Sequence, residues 1–301
     1  MPSFRNYLVS WALWFMKKGS WQSAAAFDKR IAAARRKNPP HEPPEKMQKQ
    51  FIVEEEMRKE GYVVYTVAPK SETPTQARIM YLHGGAFVFE IAPQHWALIA
   101  QLAERLQAVI TVPIYPLGPE TPLMKMYDCV QPLYNELAAE PDPTPFWCMG
   151  DSAGGTMTLV MTQNARKAGL PTARRLVPIT PCTDVSLANE EMLAVAPKDP
   201  WLDVPGIKHV TELICPELPV KDPRVSPIYG DLKGPPMLVL AGGNDLLGLD
   251  AIKMAGMAKE QGSEVELLVG EGMMHVWPIL PIPEAALAVN KIVEWLQQGQ
   301  K

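Results

Sequence analysis
Short apolar runs alternate with longer amphipathic segments through most of this chain, and that alternation is its main structural signal. Two helical segments are expected first, at about 4–17 and 21–37, before Asn38-Pro39-Pro40-His41-Glu42-Pro43-Pro44 interrupts the pattern. From residue 51 short β-like runs take over, and Tyr62–Val67 and Ile79–Leu82 read as strands. Helices near 95–107, 122–139, 156–167, 249–261 and 283–298 then alternate with strands at Val109–Tyr115, 146–150, Leu176–Thr180, Met237–Ala241 and Val265–Val269. Strands and helices in this order imply an α/β fold, with a mostly parallel central sheet flanked by helices through right-handed crossovers. One interval departs from the rhythm. More than fifty residues separate Thr180 from Met237, longer than an ordinary connection. Apolar positions within it (Leu187, Leu193, Trp201, Leu202, Ile207, Leu213) predict an insertion over the carboxyl ends of the strands, where open α/β sheets bind ligands.

Composition narrows the picture only slightly. A chain of 301 residues suits one large α/β unit. A net charge of -4 points away from nucleic acid and anionic membranes as partners. The four cysteines (Cys129, Cys148, Cys182, Cys215) have no metal-like spacing and read as buried free thiols in a reducing, cytoplasmic setting. Tyr7 to Met16 is almost continuously apolar, with Arg5 before it and Lys17-Lys18 where a signal peptide would want small residues. Ten residues are too few to span a bilayer, so no stable membrane insertion is expected. The favoured expectation is a helix whose Phe4, Trp11, Trp14 and Phe15 pack on the body of the protein, with contact at an interface as the alternative.

The chemistry centres on Gly150-Asp151-Ser152-Ala153-Gly154, which fits Gly-x-Ser-x-Gly. That pattern sets a serine on a strand-to-helix turn too tight for large neighbours, with its Oγ exposed above a sheet. The apolar run Pro145–Met149 before it and the helical segment Thr156–Lys167 after it are the context the motif needs. A serine hydroxyl is a poor nucleophile at neutral pH; it needs a base, and the base needs a carboxylate to fix its tautomer. Of five histidines, only His209 and His275 lie downstream of Ser152. His275 follows a strand and a glycine-containing loop, Gly270-Glu271-Gly272-Met273-Met274, so it is the expected base, whereas His209 falls in the insertion. Asp245 likewise follows the strand Met237–Ala241 and is preferred as the acid over Asp250 and Asp184. After the strand Ile79–Leu82 stands His83-Gly84-Gly85-Ala86, whose turn aims successive amides into the site. The expected oxyanion donors are the N–H groups of Gly84, Gly85 and Ala153, with His83 bracing the loop.

These motifs resemble the hormone-sensitive-lipase-like esterases of the α/β-hydrolase fold, over most of residues 60–300. His83-Gly84-Gly85-Ala86-Phe87 is similar to that family's His-Gly-Gly-Gly signature, and Gly150–Gly155 to its elbow. Tyr115-Pro116-Leu117-Gly118-Pro119-Glu120 looks like its Tyr-Arg-Leu-Ala-Pro-Glu segment, and Asp222–Pro227 and Gly272–His275 are similar too. Ala86 departs from the pattern, as do Pro116 and Gly118, and the alanine-ending motif with a long aromatic N-terminus is similar to bacterial esterases and lactone hydrolases. The resemblance implies a serine carboxylesterase with Ser152, Asp245 and His275 as triad and no metal or organic cofactor. It also implies small-molecule esters of short to medium chain as substrates, and it is compatible with a homodimer. Residues 1–50 would form N-terminal cap helices, 51–184 and 222–301 the catalytic domain, and 185–221 a cap insertion, with Phe87, Phe89, Leu187 and Trp201 lining the substrate pocket. A lactone hydrolase or amidase with the same triad, and a non-catalytic ligand receptor on this fold, are the alternatives.

Overall fold
The computed structural model describes residues 1–71, 75–141 and 144–300, and its strands pair as one sheet. Strands β1 (Phe51–Met57), β2 (Val63–Pro69), β3 (Ala77–Leu82), β4 (Ala108–Ile114), β5 (Phe146–Asp151), β6 (Arg175–Ile179), β7 (Met237–Gly242) and β8 (Val265–Gly270) lie in the order β1-β2-β4-β3-β5-β6-β7-β8. The β1–β2 and β2–β4 pairs are antiparallel; every other pair is parallel, as the strand–helix alternation requires. The edge strand β1 exposes Glu54, Glu55 and Glu56, charges that discourage pairing with another sheet.

Helices α1 (Phe4–Leu13), α2 (Gly19–Trp21), α3 (Ala24–Lys37) and α4 (Glu45–Gln50) precede the sheet, α1 passing into α2 through a π-helical turn at Trp14–Lys18. After them come α5 (Pro93–Leu106), α6 (Leu123–Ala139), α7 (Ala153–Lys167), α8 (Met192–Val195), α9 (Val204–Ile214), α10 (Gly248–Glu260) and α11 (Pro283–Gln297). Strand residues alternate between two cores. Ile79, Tyr81, Trp147, Met149, Leu238 and Leu240 face α5 and α11. Met80, Leu82, Cys148 and Val239 face the opposite side, with α7 and α10.

A helical layer of α2, α3 and α9 closes over the carboxyl ends of the strands. Phe27, Ile31 and Arg35 lie four residues apart on α3 and share its docking face. Phe27 is fully buried, edge-on to Trp21 and Phe89. Arg35 grips both carboxylate oxygens of Glu120 and also donates to the carbonyls of Gly118 and Val88. Lys18 is buried beneath the layer, where its ammonium donates to the carbonyls of Ala196 and Leu202 and pairs with Asp203. The α4 helix packs instead on β1, at the sheet's edge.

The first helix departs from expectation. Phe4, Trp11, Trp14 and Phe15 do not pack on the body of the protein; they stand in solvent, Trp11 at 66% and Phe15 at 63% exposure. Asn6, Val9 and Leu13 form the inward stripe instead. The reason is that Tyr7–Met16 is apolar but for Ser10, so the run has no polar face to mark its outside, and a helix at the rim buries only one side. Among the described residues no helix is long and apolar enough to cross a membrane.

Burial therefore separates two kinds of aromatic in the first forty residues. Replacing Trp11 or Phe15 by Gln is expected to change unfolding free energy by less than about 0.5 kcal/mol. Phe27→Ala is expected to cost about 3 kcal/mol or more, as truncation of a fully buried ring does. Urea titration of the three variants checks both.

Candidate active site
Four strand ends converge beneath the helical layer, and β5 delivers the serine. Ser152 sits between β5 and α7 with φ 51° and ψ −117°, a left-handed conformation that a side chain adopts only when its surroundings impose it. They do so by close approach. A Cβ on Gly154 would lie 1.9 Å from the Leu82 carbonyl oxygen, and one on Gly150 would lie 2.5 Å from the same atom. The Ser152 N–H is held by the Ile179 carbonyl at 2.9 Å. Strand, turn and helix are thus locked, and Oγ points away from the sheet.

His275 and Asp245 arrive from the loops after β8 and β7. The Ser152 hydroxyl donates to His275 Nε2 at 2.9 Å, and His275 Nδ1–H donates to Asp245 Oδ2 at 3.0 Å. Asp245 is fully buried, and its other oxygen accepts the Leu247 N–H at 3.0 Å. The competitors point elsewhere. Asp250 accepts from the Asn189 amide, Asp184 accepts from Tyr229 and the Ser186 N–H, and His209 meets Asp28 at 2.7 Å. Burial, the largest influence on His275, disfavours its charged form. The charge and hydrogen bond of Asp245, with Asp199 and Asp151 further off, outweigh it and raise the pKa above the ordinary histidine value.

The loop after β3 corrects the expected set of oxyanion donors. The Gly84 N–H is already committed to Asp151 Oδ1 at 3.0 Å, so it is not a free donor. Gly85, Ala86 and Phe87 follow with φ of 126°, 55° and 62°, a run that turns successive amides to one side as an anion-binding concavity. Among the described residues, the N–H groups of Gly85 and Ala86 meet no acceptor, and neither does that of Ala153, the first residue of α7. The free amides at this turn are therefore those of Gly85, Ala86 and Ala153, and Gly84 is not among them. The loop is braced from below. His83 Nδ1–H donates to the Gly84 carbonyl, its ring stacks on Tyr115 at 4.3 Å, and the Tyr115 hydroxyl donates to the His83 carbonyl. Burial foremost, then His95, pushes the His83 pKa down to about 4, so the bracing ring is neutral.

Two buried carboxylates carried no signal in the sequence beyond their neighbours. Asp151, inside the elbow motif, accepts from the Tyr81 hydroxyl, the Gly84 N–H and His95 Nε2. Burial opposes its ionisation most strongly, yet His95, Tyr81 and His83 together hold its pKa below the usual carboxylate value. Asp199 lies 46 positions before Asp245 in the chain. It accepts the N–H groups of Trp201, Leu202 and Leu246, so it ties the insertion to the residue beside Asp245. Burial and the nearby Asp245 push its carboxyl up to about 6, against those three N–H groups.

A cavity of about 510 Å³ opens on Ser152 and His275, within the range typical of small-molecule sites. Phe87, Phe89 and Trp201 line it, and Trp201 stands edge-on to the His275 ring at 6.0 Å. Leu187 does not reach it: its backbone takes φ 54° and its side chain packs, half-buried, on the core. Its place in the insertion predicted lining, but the insertion's path carries Leu202 and Ile207 over the cavity instead. Among the described residues no cluster of three or more His, Cys, Asp or Glu is arranged to hold a metal ion.

Comparison with known proteins agrees with this architecture. The family described as alpha/beta hydrolase fold matches residues 79–279. An esterase from Acinetobacter venetianus is 29% identical over 235 residues, 75% of this chain and 76% of that protein. A carboxylesterase from Mycobacterium tuberculosis is 30% identical over 228 residues, 71% of this chain and 70% of its own. A solved hormone-sensitive lipase from a metagenome library, 26% identical, superposes with a TM-score of 0.75 over 93% of this chain and 99% of that one.

The electrostatics give the serine a pH signature. A fluorophosphonate probe is expected to label Ser152, at a rate that rises as His275 loses its proton. Because that pKa is raised, the midpoint lies above the ordinary histidine value of 6.5. Asp199→Asn removes one of the charges that raise it and should move the midpoint down. Peptide mapping and labelling rates against pH read both, and labelling elsewhere or a midpoint moving upward would contradict them.

Proposed function
This chain belongs to the α/β-hydrolase fold, among its hormone-sensitive-lipase-like esterases, and is a carboxylesterase; we propose that it cleaves small esters through an acyl-enzyme on Ser152. The observation that carries this reading is the hydrogen-bonded chain Asp245–His275–Ser152, with both links at 3.0 Å or less. In it, Ser152 Oγ attacks the ester carbonyl carbon while His275 Nε2 takes its proton. Asp245 holds Nδ1–H, which keeps Nε2 free as acceptor and stabilises the imidazolium. Negative charge gathers on the former carbonyl oxygen, and the N–H groups of Gly85, Ala86 and Ala153 are the donors for it. Each such donor contributes about 3 kcal/mol in related acyl-transfer sites. His275 returns the proton to the departing alkoxide, and the alcohol leaves. Water, deprotonated by the same imidazole, then releases the acid and restores the serine.

Asp151 serves this chemistry as a positioning residue. By holding the Gly84 N–H it turns the loop so that the next two amides face the serine. The size of the cavity and its cover of α2, α3 and α9 support short- to medium-chain esters as substrates.

A series of p-nitrophenyl esters from acetate to laurate tests the reading. Turnover is expected to peak among the shorter acyl chains; a maximum at laurate would overturn the chain-length proposal. Ser152→Ala and His275→Ala should each lower kcat by several orders of magnitude, and near-normal hydrolysis by either would sink the mechanism. Asp151→Ala is expected to reduce kcat by about tenfold to a hundredfold, with KM changed less, because it loosens donors that act in the transition state.

A further inference from the structure
Helix α3 turns a second face to the cavity. Arg30, Ala33, Ala34 and Lys37 line it, at the i, i+3, i+4, i+7 spacing of one helix side. The two alanines leave an open floor, and a cation stands at each end. Lys17, from the π-helical turn, adds a third positive charge to the same wall. The Arg30 guanidinium lies 4.6 Å from the centre of the Phe89 ring and donates to Ser20 Oγ at 2.9 Å. The Phe89 N–H is bound by the Gly85 carbonyl at 2.9 Å, so one aromatic side chain separates the guanidinium from the oxyanion loop.

No carboxylate answers these cations. Among the described residues Lys17, Arg30 and Lys37 enter no ion pair, and Arg30 makes no polar contact but that to Ser20. Of the cavity's own carboxyl groups, Asp151 is enclosed by Tyr81, Gly84 and His95, whereas Glu90 enters no ion pair among the described residues, and burial, against His41 and Arg35, raises its pKa. Burial pulls the Arg30 pKa down to about 10, and burial, then Arg30 and Lys37, lowers that of Lys17. Gathering like charges partly out of water costs free energy that only an anion would recover.

We propose that this wall is a subsite for an anionic group on the substrate, so that the preferred esters carry a carboxylate remote from the bond that is cleaved. The planar fork of Arg30 suits two carboxylate oxygens, and Lys17 supplies a mobile second charge. The inference rests on hydrolysis at Ser152 and names the substrate class for it.

Mono-p-nitrophenyl esters of glutaric, adipic and suberic acid, each paired with its methyl-capped neutral counterpart, test it at low ionic strength. In the best pair the anionic ester is expected to have kcat/KM about tenfold or more above the neutral one, the worth of a charge-assisted hydrogen bond. Arg30→Met keeps the stem against Phe89 and should bring the ratio close to one, whereas Arg30→Lys should keep part of it. A phosphate in place of the remote carboxylate tells which anion fits better; preference for either over its neutral counterpart supports the subsite. Neutral esters outrunning every anionic one overturn it, as does a ratio that survives Arg30→Met combined with Lys17→Met. If no ester turns over, the hydrolytic reading fails, and adipate itself reads the subsite. A rise in Tm with adipate that Arg30→Met abolishes still supports the subsite, and no rise overturns it.

Discussion
The site depends on a steric constraint at one carbonyl oxygen. The end of β3 presses the Leu82 carbonyl against the backbone of β5 and α7, so closely that a methyl group fits at neither Gly150 nor Gly154. That contact does three things together. It forces Ser152 into its left-handed conformation, it brings the start of α7 beside the loop after β3, and it sets Asp151 beneath that loop. Ser152 and the free amides beside it are therefore one packed object. Neither can shift by much without a clash in the other, because packed backbone has no soft direction in which to yield.

Buried carboxylates extend this rigidity outward. Asp151 spends one oxygen on the Tyr81 hydroxyl and the Gly84 N–H and the other on His95. Asp199 holds Trp201, Leu202 and Leu246, joining the insertion to the loop of Asp245. Desolvating such groups is expensive, and here backbone N–H groups offset the cost by direct hydrogen bonds. The helical layer is thus linked to the catalytic loop through a charge as well as through apolar contact. Lys18 reaches the same segment from the N-terminal side, at the Leu202 carbonyl. A shift of the layer would be felt at Asp245 and at Trp201, which stands against His275.

The sequence made the frame legible because its signals are local. Strands such as Ile79–Leu82 and Met237–Ala241 are short apolar runs bounded by turns, and placement just after a strand, together with chain order, selects Asp245 and His275 from their rivals. What it hid depends on distant neighbours. Whether the Gly84 N–H is free is decided by Asp151, 67 positions away in the chain, and no turn pattern reports that. Asp199 meets the Leu246 N–H only because the insertion folds back over β7. The outward aromatics of α1 escape the sequence for a different reason: a run with a single polar residue, Ser10, does not say which side faces the protein. Leu187 shows the same limit, since membership in an insertion does not say which of its residues reach the cavity.

Helix α3 shows how one periodicity can carry two separable tasks. Its docking face, Phe27, Ile31 and Arg35, is satisfied entirely by the body of the protein: a buried ring, an aliphatic contact and a guanidinium with every partner in place. On its cavity face, Arg30, Ala33, Ala34 and Lys37, the two cations enter no ion pair among the described residues, and Arg30 meets only the Ser20 hydroxyl and the Phe89 ring. Two arginines five residues apart on one helix thus stand in opposite conditions, one saturated and one waiting. The difference follows from the helical angle, since a step of five residues rotates a side chain by about 140° around the axis. Because docking energy comes from the first face, residues on the second can vary in charge and size without releasing the helix. A fold that holds Ser152 by immovable backbone contacts and, on the proposed reading, its substrate by one face of a separately anchored helix can change what it binds while keeping how it reacts.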